Sequence, residues 1–150
     1  MLLLLPGLAL AFSDTLGGDG VAHDEGEMLK LVSVSVEEAA FVRDLGFAVA
    51  GRGVTSEVVV VLYVEVGGAY ELVGQASAAE PADGMVGWAT AADVDWLLEP
   101  GRTYAMGAYV GDGWTYFYEE GRTADPWFGA VTGSYRVEDR AGIPDTFRAE

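Results

Sequence analysis

Residues 57–66 read EVVVVLYVEV, residues 67–68 are two glycines, and residues 69–77 read AYELVGQAS. The near-continuous valine of the first run specifies a central strand covered on both faces, since β-branched side chains suit a pleated, buried surface. Gly67 and Gly68 are both free to take positive φ, so they close a two-residue hairpin and the second run returns beside the first. The motif is an antiparallel pair.

Outward from this hairpin the same grammar repeats. Met28–Val36 sets Val32, Val34 and Val36 on one face and Ser33 and Ser35 on the other, a half-buried strand. Phe41–Ala50 groups Phe41, Leu45, Phe47 and Val49 on one side. Short strands are expected at Met85–Thr90, Asp93–Leu98, Thr103–Val110, Trp114–Glu119 and Trp127–Val137. Between them stand turn formers: Pro81 and Asp83-Gly84, Pro100-Gly101 in type II positions, Gly111-Asp112-Gly113, and Gly121 with Pro126. No amphipathic helix of useful length interrupts the pattern. The fold class is all-β, an antiparallel β-sandwich of jelly-roll or Ig-like type with about eight or nine strands.

Four regions follow along the chain. Met1–Ala11 is uncharged and apolar and ends in Ala9-Leu10-Ala11, the small-x-small form of a signal-peptidase site, so it is expected to be a signal-peptide remnant, with a buried first strand or helix as the alternative. It falls short of the roughly 20 apolar residues that span a bilayer. Residues 12–27 are polar and rich in Gly and Asp, residues 28–137 make the sandwich, and residues 138–150 form a polar C-terminal tail. The localisation expected from the leader is secreted or cell-envelope.

Composition narrows the partners. Twenty-four Asp and Glu against eight Lys and Arg give a formal net charge of −16, yet 51% of residues are hydrophobic and 11% aromatic, enough for a packed core. With so few cations no basic face exists, which excludes a nucleic-acid binder and any attachment to an anionic membrane surface. Cysteine and asparagine are absent, so there is no disulfide, no thiolate ligand and no N-glycosylation acceptor. Lys30 is the only lysine.

The segments Val60-Val61-Leu62-Tyr63-Val64-Glu65 with Gly67-Gly68 and Tyr70-Glu71-Leu72-Val73, then Leu98-Glu99-Pro100-Gly101-Arg102-Thr103-Tyr104 and Phe128-Gly129, form a pattern of strands and turns. Across Leu45–Tyr135 this pattern resembles the secreted bacterial β-sandwich modules of jelly-roll or galactose-binding-like type that accompany surface proteins and extracellular hydrolases. The resemblance implies the fold, secretion, and non-catalytic binding or assembly. It carries over no ligand residue.

Catalytic chemistry is hard to staff from these residues. His23 is the only histidine and lies in the polar N-terminal segment, without a companion His or Cys for a triad or a zinc site. Gly51-Arg52-Gly53 and Gly111-Asp112-Gly113 lack the spacing of a dinucleotide fingerprint. Carboxylate pairs, Glu65 with Glu71 and Asp93 with Asp95, leave an acidic secreted glycoside hydrolase as the alternative. Clustered acids suit a structural Ca²⁺ ion better: Asp19, Asp24 and Glu25, with Asp14 and Glu27 nearby, sit in flexible glycine-rich surroundings, and Asp83 and Asp112 offer a second place.

The most suggestive stretch is Trp114-Thr115-Tyr116-Phe117-Tyr118. In a strand, Trp114, Tyr116 and Tyr118 share one face, about 6.7 Å apart. Facing water, they make a ligand-binding platform for sugar rings; facing inward, they are core and Phe117 is the outlier. The expected function is a non-catalytic module binding a ligand such as a polysaccharide or another surface protein. A self-assembling homo-oligomer, pairing through an edge strand such as Met28–Val36, is the third reading.

Overall fold

The computed structural model describes residues 18–23, 27–51, 57–81, 85–119, 125–138 and 142–149. These residues contain twelve strands and no helix: β1 Gly18–His23, β2 Met28–Val36, β3 Ala40–Val42, β4 Leu45–Gly51, β5 Val58–Val66, β6 Ala69–Ser77, β7 Val86–Ala91, β8 Trp96–Leu98, β9 Thr103–Val110, β10 Trp114–Glu119, β11 Gly129–Glu138 and β12 Thr146–Phe147. One sheet has four strands in the order β1-β10-β4-β7, a second has six in the order β11-β2-β9-β5-β6-β12, and β3 and β8 make a separate pair. Every pairing is antiparallel. None of the described segments is a helix long and apolar enough to cross a membrane.

The main core lies between the two larger sheets. Val49 of β4, Ala89 of β7, and Trp114 and Tyr116 of β10 meet Val32, Val34, Leu62, Met106 and Val110 from β2, β5 and β9, all buried. Period two explains which residues are involved, since every second residue of each strand points to the same face. The valine run of β5 is covered on both sides as its composition demands: Val58, Leu62 and Val64 enter this core, while Val61 and Tyr63 enter a second apolar cluster on the outer face of the six-stranded sheet. That second cluster is closed by the C-terminal segment. The Tyr63 hydroxyl donates to the Pro144 carbonyl at 2.8 Å, and Leu72 N–H donates to the Asp145 carbonyl at 2.8 Å.

The central hairpin forms as its glycines require. Gly67 and Gly68 have φ of 60° and 81°, and β5 and β6 pair from Val66–Ala69 onward. Gly101 has φ of 79° in the turn that opens β9. The bounds of β2, β6, β9 and β10 coincide with those expected from alternation.

Other expectations are corrected. The run Phe41–Ala50 is not one strand, because Arg43 and Asp44 break it into β3 and β4. Those two residues clamp the segment before β8: Arg43 donates twice to Asp93 Oδ1 at 3.0 and 3.1 Å, and Asp44 Oδ1 accepts the Asp93 N–H at 3.0 Å. Asp93 and Asp95 have φ of 54° and 53°, so the expected strand Asp93–Leu98 begins only at Trp96. Met28–Val36 is no edge strand; β11 and β9 flank it on both sides, which removes it as a surface for pairing with another copy. Strands β1 and β12 fall in segments read as a polar arm and a polar tail. The expected leader, Met1–Ala11, lies outside the described residues.

Candidate functional site

The outer face of the six-stranded sheet carries an open pocket of about 320 Å³. Three features of the strands build it. A bulge in β11 between Val131 and Gly133 leaves Thr132 out of register, and its Oγ1 reaches Ser33 Oγ at 2.8 Å. Bulges re-aim side chains in this way because the extra residue has no ladder partner. Next, Ser33 and Ser35, the polar positions of the alternating strand β2, stand on the outer face, with Ser35 opposite Thr103 of β9. Finally, Glu65 at the end of β5 is paired with Tyr70 of β6, directly beside the Gly67-Gly68 turn. The lining thus includes Ser35, Thr103, Thr132, Tyr70 and Tyr135 with Glu65.

The two tyrosines bridge the pocket and the outer cluster. Their hydroxyls are 3.3 Å apart and their ring centroids 5.4 Å, and the Tyr135 hydroxyl also lies 3.5 Å from Ser33 Oγ. Tyr135 leans over Gly133, where any Cβ would come within 2.9 Å of its hydroxyl. Burial, then the hydrogen bond with Tyr135, raises the Tyr70 pKa well above the ordinary phenol value, so Tyr70 stays protonated across the physiological range. Hydroxyl-bearing residues and one glutamate in the same lining can supply both hydrogen-bond donors and acceptors.

The expected platform is not formed by Trp114 and Tyr116. Trp114 is 5% exposed and Tyr116 2%, and both lie in the core between the sheets. Trp114 packs against Gly51, where a Cβ would sit 2.5 Å from the indole ring, and Tyr116 lies 6.1 Å from Phe47 between ring centroids. The inward alternative for the stripe is therefore the observed one for these two rings; the side chain of Tyr118 lies outside the described residues. Phe117, on the opposite face, is only partly buried.

The carboxylates of Glu65 and Glu71 do not converge. Tyr70, paired with Glu65, packs in the outer cluster, whereas Glu71 is paired with Val64, which belongs to the inner core, so the two glutamates occupy opposite faces. Asp93 is engaged by Arg43, and Asp95 lies in the same irregular segment. Of the acids considered for Ca²⁺, Asp24, Glu25, Asp14 and Asp83 and the side chain of Asp19 lie outside the described residues, while Glu27 and Asp112 are exposed. Among the described residues no group of three or more His, Cys, Asp or Glu side chains is placed to hold a metal ion.

The alternating strands already marked Ser33 and Ser35 as a polar face, but they gave no sign of the pocket. It depends on the Thr132 bulge and on a C-terminal segment returning to β6. Comparison with known proteins found no matching family model, no matching curated protein and no matching solved structure. The site must be interpreted from its own chemistry.

Proposed function

We propose that this chain is a non-catalytic β-sandwich module that binds a neutral carbohydrate in the pocket bounded by Ser35, Glu65, Tyr70, Thr103, Thr132 and Tyr135, and that it acts outside the cytoplasm, as secreted jelly-roll or galactose-binding-like modules do. The observation that supports this reading is that five hydroxyl-bearing residues and one glutamate line a single open pocket. A sugar presents several hydroxyls at short spacing; a carboxylate accepts two of them strongly, and side-chain hydroxyls can donate or accept as each ring position requires. The net charge of −16 disfavours uronate-bearing and sulfated glycans, which leaves neutral ones. Among the described residues Glu65 is the one acid lining the pocket, which supports binding rather than glycosidic hydrolysis, a reaction that needs a facing pair.

The test is calorimetric titration with a panel of neutral oligosaccharides of glucose, galactose, mannose and xylose. Saturable binding is expected for the parent, weakened at least tenfold in Glu65→Gln and in Thr132→Ala, with the thermal midpoint of both variants near the parent's. Absence of binding across the panel, or unchanged affinity in both variants, overturns the reading.

A further inference from the structure

The four-stranded sheet also has an outer face, and one indole stands on it. Trp88 of β7 is 51% exposed, while its neighbour Ala89 is in the core. Trp88 pairs in register with Ala48 of β4, and its Cε3 lies 3.5 Å from the place a Cβ would occupy on Gly46. Because Gly46 has no side chain, the six-membered ring leans over the β4 backbone and leaves half of its surface in water. Val86 extends the patch two residues along β7, 66% exposed, and Thr90, partner of Gly46, brings a hydroxyl to its other end. The stretch Gly46, Ala48 and Ala50 keeps the neighbouring strand low, so nothing on β4 rises to cover the indole.

We propose that Trp88 is a second carbohydrate contact, stacking the apolar face of a neutral sugar ring on its exposed indole surface with the Thr90 hydroxyl at the ring's edge; this rests on the carbohydrate reading of the pocket. The size of the patch selects the ligand. A stable protein interface buries about 800 Å² on each partner. An aromatic side chain offers roughly 150–250 Å² in all, so a half-exposed indole with one valine reaches a fraction of that. One sugar ring needs no more. The interleaved threonine hydroxyl suits a polyol better than an apolar protein surface.

The pocket lies on the outer face of the six-stranded sheet and Trp88 on the outer face of the four-stranded sheet, with the main core between them. One glycan cannot easily occupy both sites of one molecule, so two contacts on opposite sides bridge two chains. A stacked ring alone binds weakly, but repeated units on a polysaccharide raise the apparent affinity through effective concentration.

The experiment uses the full chain, the neutral oligosaccharide that binds tightest in the panel, and the corresponding soluble polysaccharide. Indole fluorescence is titrated in Glu65→Gln and in Trp88→Ala, calorimetric binding in Trp88→Ala, and light scattering with polysaccharide in both and in the parent. The expected result is a fluorescence response that survives Glu65→Gln and is lost in Trp88→Ala, pocket binding that survives Trp88→Ala, and scattering growth in the parent alone. Retained pocket binding with no fluorescence response in Glu65→Gln overturns the Trp88 contact and leaves the pocket standing. Fluorescence response with no pocket binding in Trp88→Ala overturns the pocket instead. If the parent scatters without polysaccharide and Trp88→Ala does not, the patch joins copies of this chain and the sugar contact is overturned. Silence in every arm overturns both sites.

Discussion

The ring of Phe147 stacks on that of Tyr70, with centroids 4.9 Å apart and planes 9° from parallel, and meets Tyr63 edge-on at 5.0 Å. A residue three from the end of the chain is thereby built into the outer cluster, and β12, only two residues long, is held by aromatic packing more than by its ladder. Truncating a buried Phe to Ala removes transfer energy and leaves a void, an effect of about 3 kcal/mol. Phe147→Ala is therefore expected to lower the unfolding free energy by that amount, seen as a lower urea midpoint at unchanged m-value, and Phe147→Leu by much less. A loss below 1 kcal/mol for the alanine variant would show that the segment contributes little to the core.

Tyr70 also makes a pH prediction. Its pKa is raised in the folded state, first by burial and then by the hydrogen bond with Tyr135. For a group raised above its unfolded value, the stability is fully present below the unfolded pKa, about 10 for tyrosine, and is lost as pH rises beyond it. Denaturation curves between pH 7 and pH 11 should show stability declining above about pH 10, with Tyr70→Phe flattening the decline. At pH 7 the same variant should lose only about 1 kcal/mol, the worth of one hydrogen bond.

These two residues also mark where the sequence was legible. Alternation and turn chemistry are local, so the bounds of β2, β6, β9 and β10 and the Gly67-Gly68 hairpin could be read directly. Phe147 sits among Asp145, Thr146 and Arg148, and nothing local distinguishes it from a tail; only the distant rings of Tyr63 and Tyr70 do. The break between β3 and β4 was hidden for the same reason, since Arg43 and Asp44 are satisfied by Asp93, fifty residues away. Trp114 and Tyr116 illustrate a limit of period two, which groups residues on a face without saying which face is wet. The pocket required a bulge, a one-residue irregularity that no alternation pattern announces.

Two glycines separate backbone crowding from side-chain crowding. At Gly107 of β9 an added Cβ would meet the backbone carbonyl of Lys30, which is fixed in the ladder between β2 and β9. At Gly51 of β4 it would meet the Trp114 ring, which is able to tilt at some expense. Overpacking of this kind typically costs about 1–3 kcal/mol. Gly107→Ala is expected at or beyond the top of that range and Gly51→Ala within it, the latter with an altered Trp emission spectrum. Chemical denaturation of the two variants side by side checks the order, and a reversed order would mean that the β2–β9 ladder is more compliant than its geometry implies.

The charge imbalance makes a prediction about medium. Twenty-four acids against eight cations give −16, and the described acidic side chains whose burial is assigned are exposed, so the repulsion is spread over the surface of a nearly uncharged sandwich core. Exposed charges interact over a Debye length, which falls from about 10 Å at 0.1 M salt to about 3 Å at 1 M. Relief of 1–2 kcal/mol of self-repulsion corresponds to a rise of roughly 2–8 °C in thermal midpoint for a chain of this size. NaCl from 0.05 to 1 M is expected to raise the midpoint steadily by such an amount. CaCl₂ at matched ionic strength separates screening from binding: a further rise that saturates at millimolar Ca²⁺ would show a bound structural ion, and superimposable curves would leave screening as the whole effect. A midpoint that falls with NaCl would contradict the repulsion argument itself.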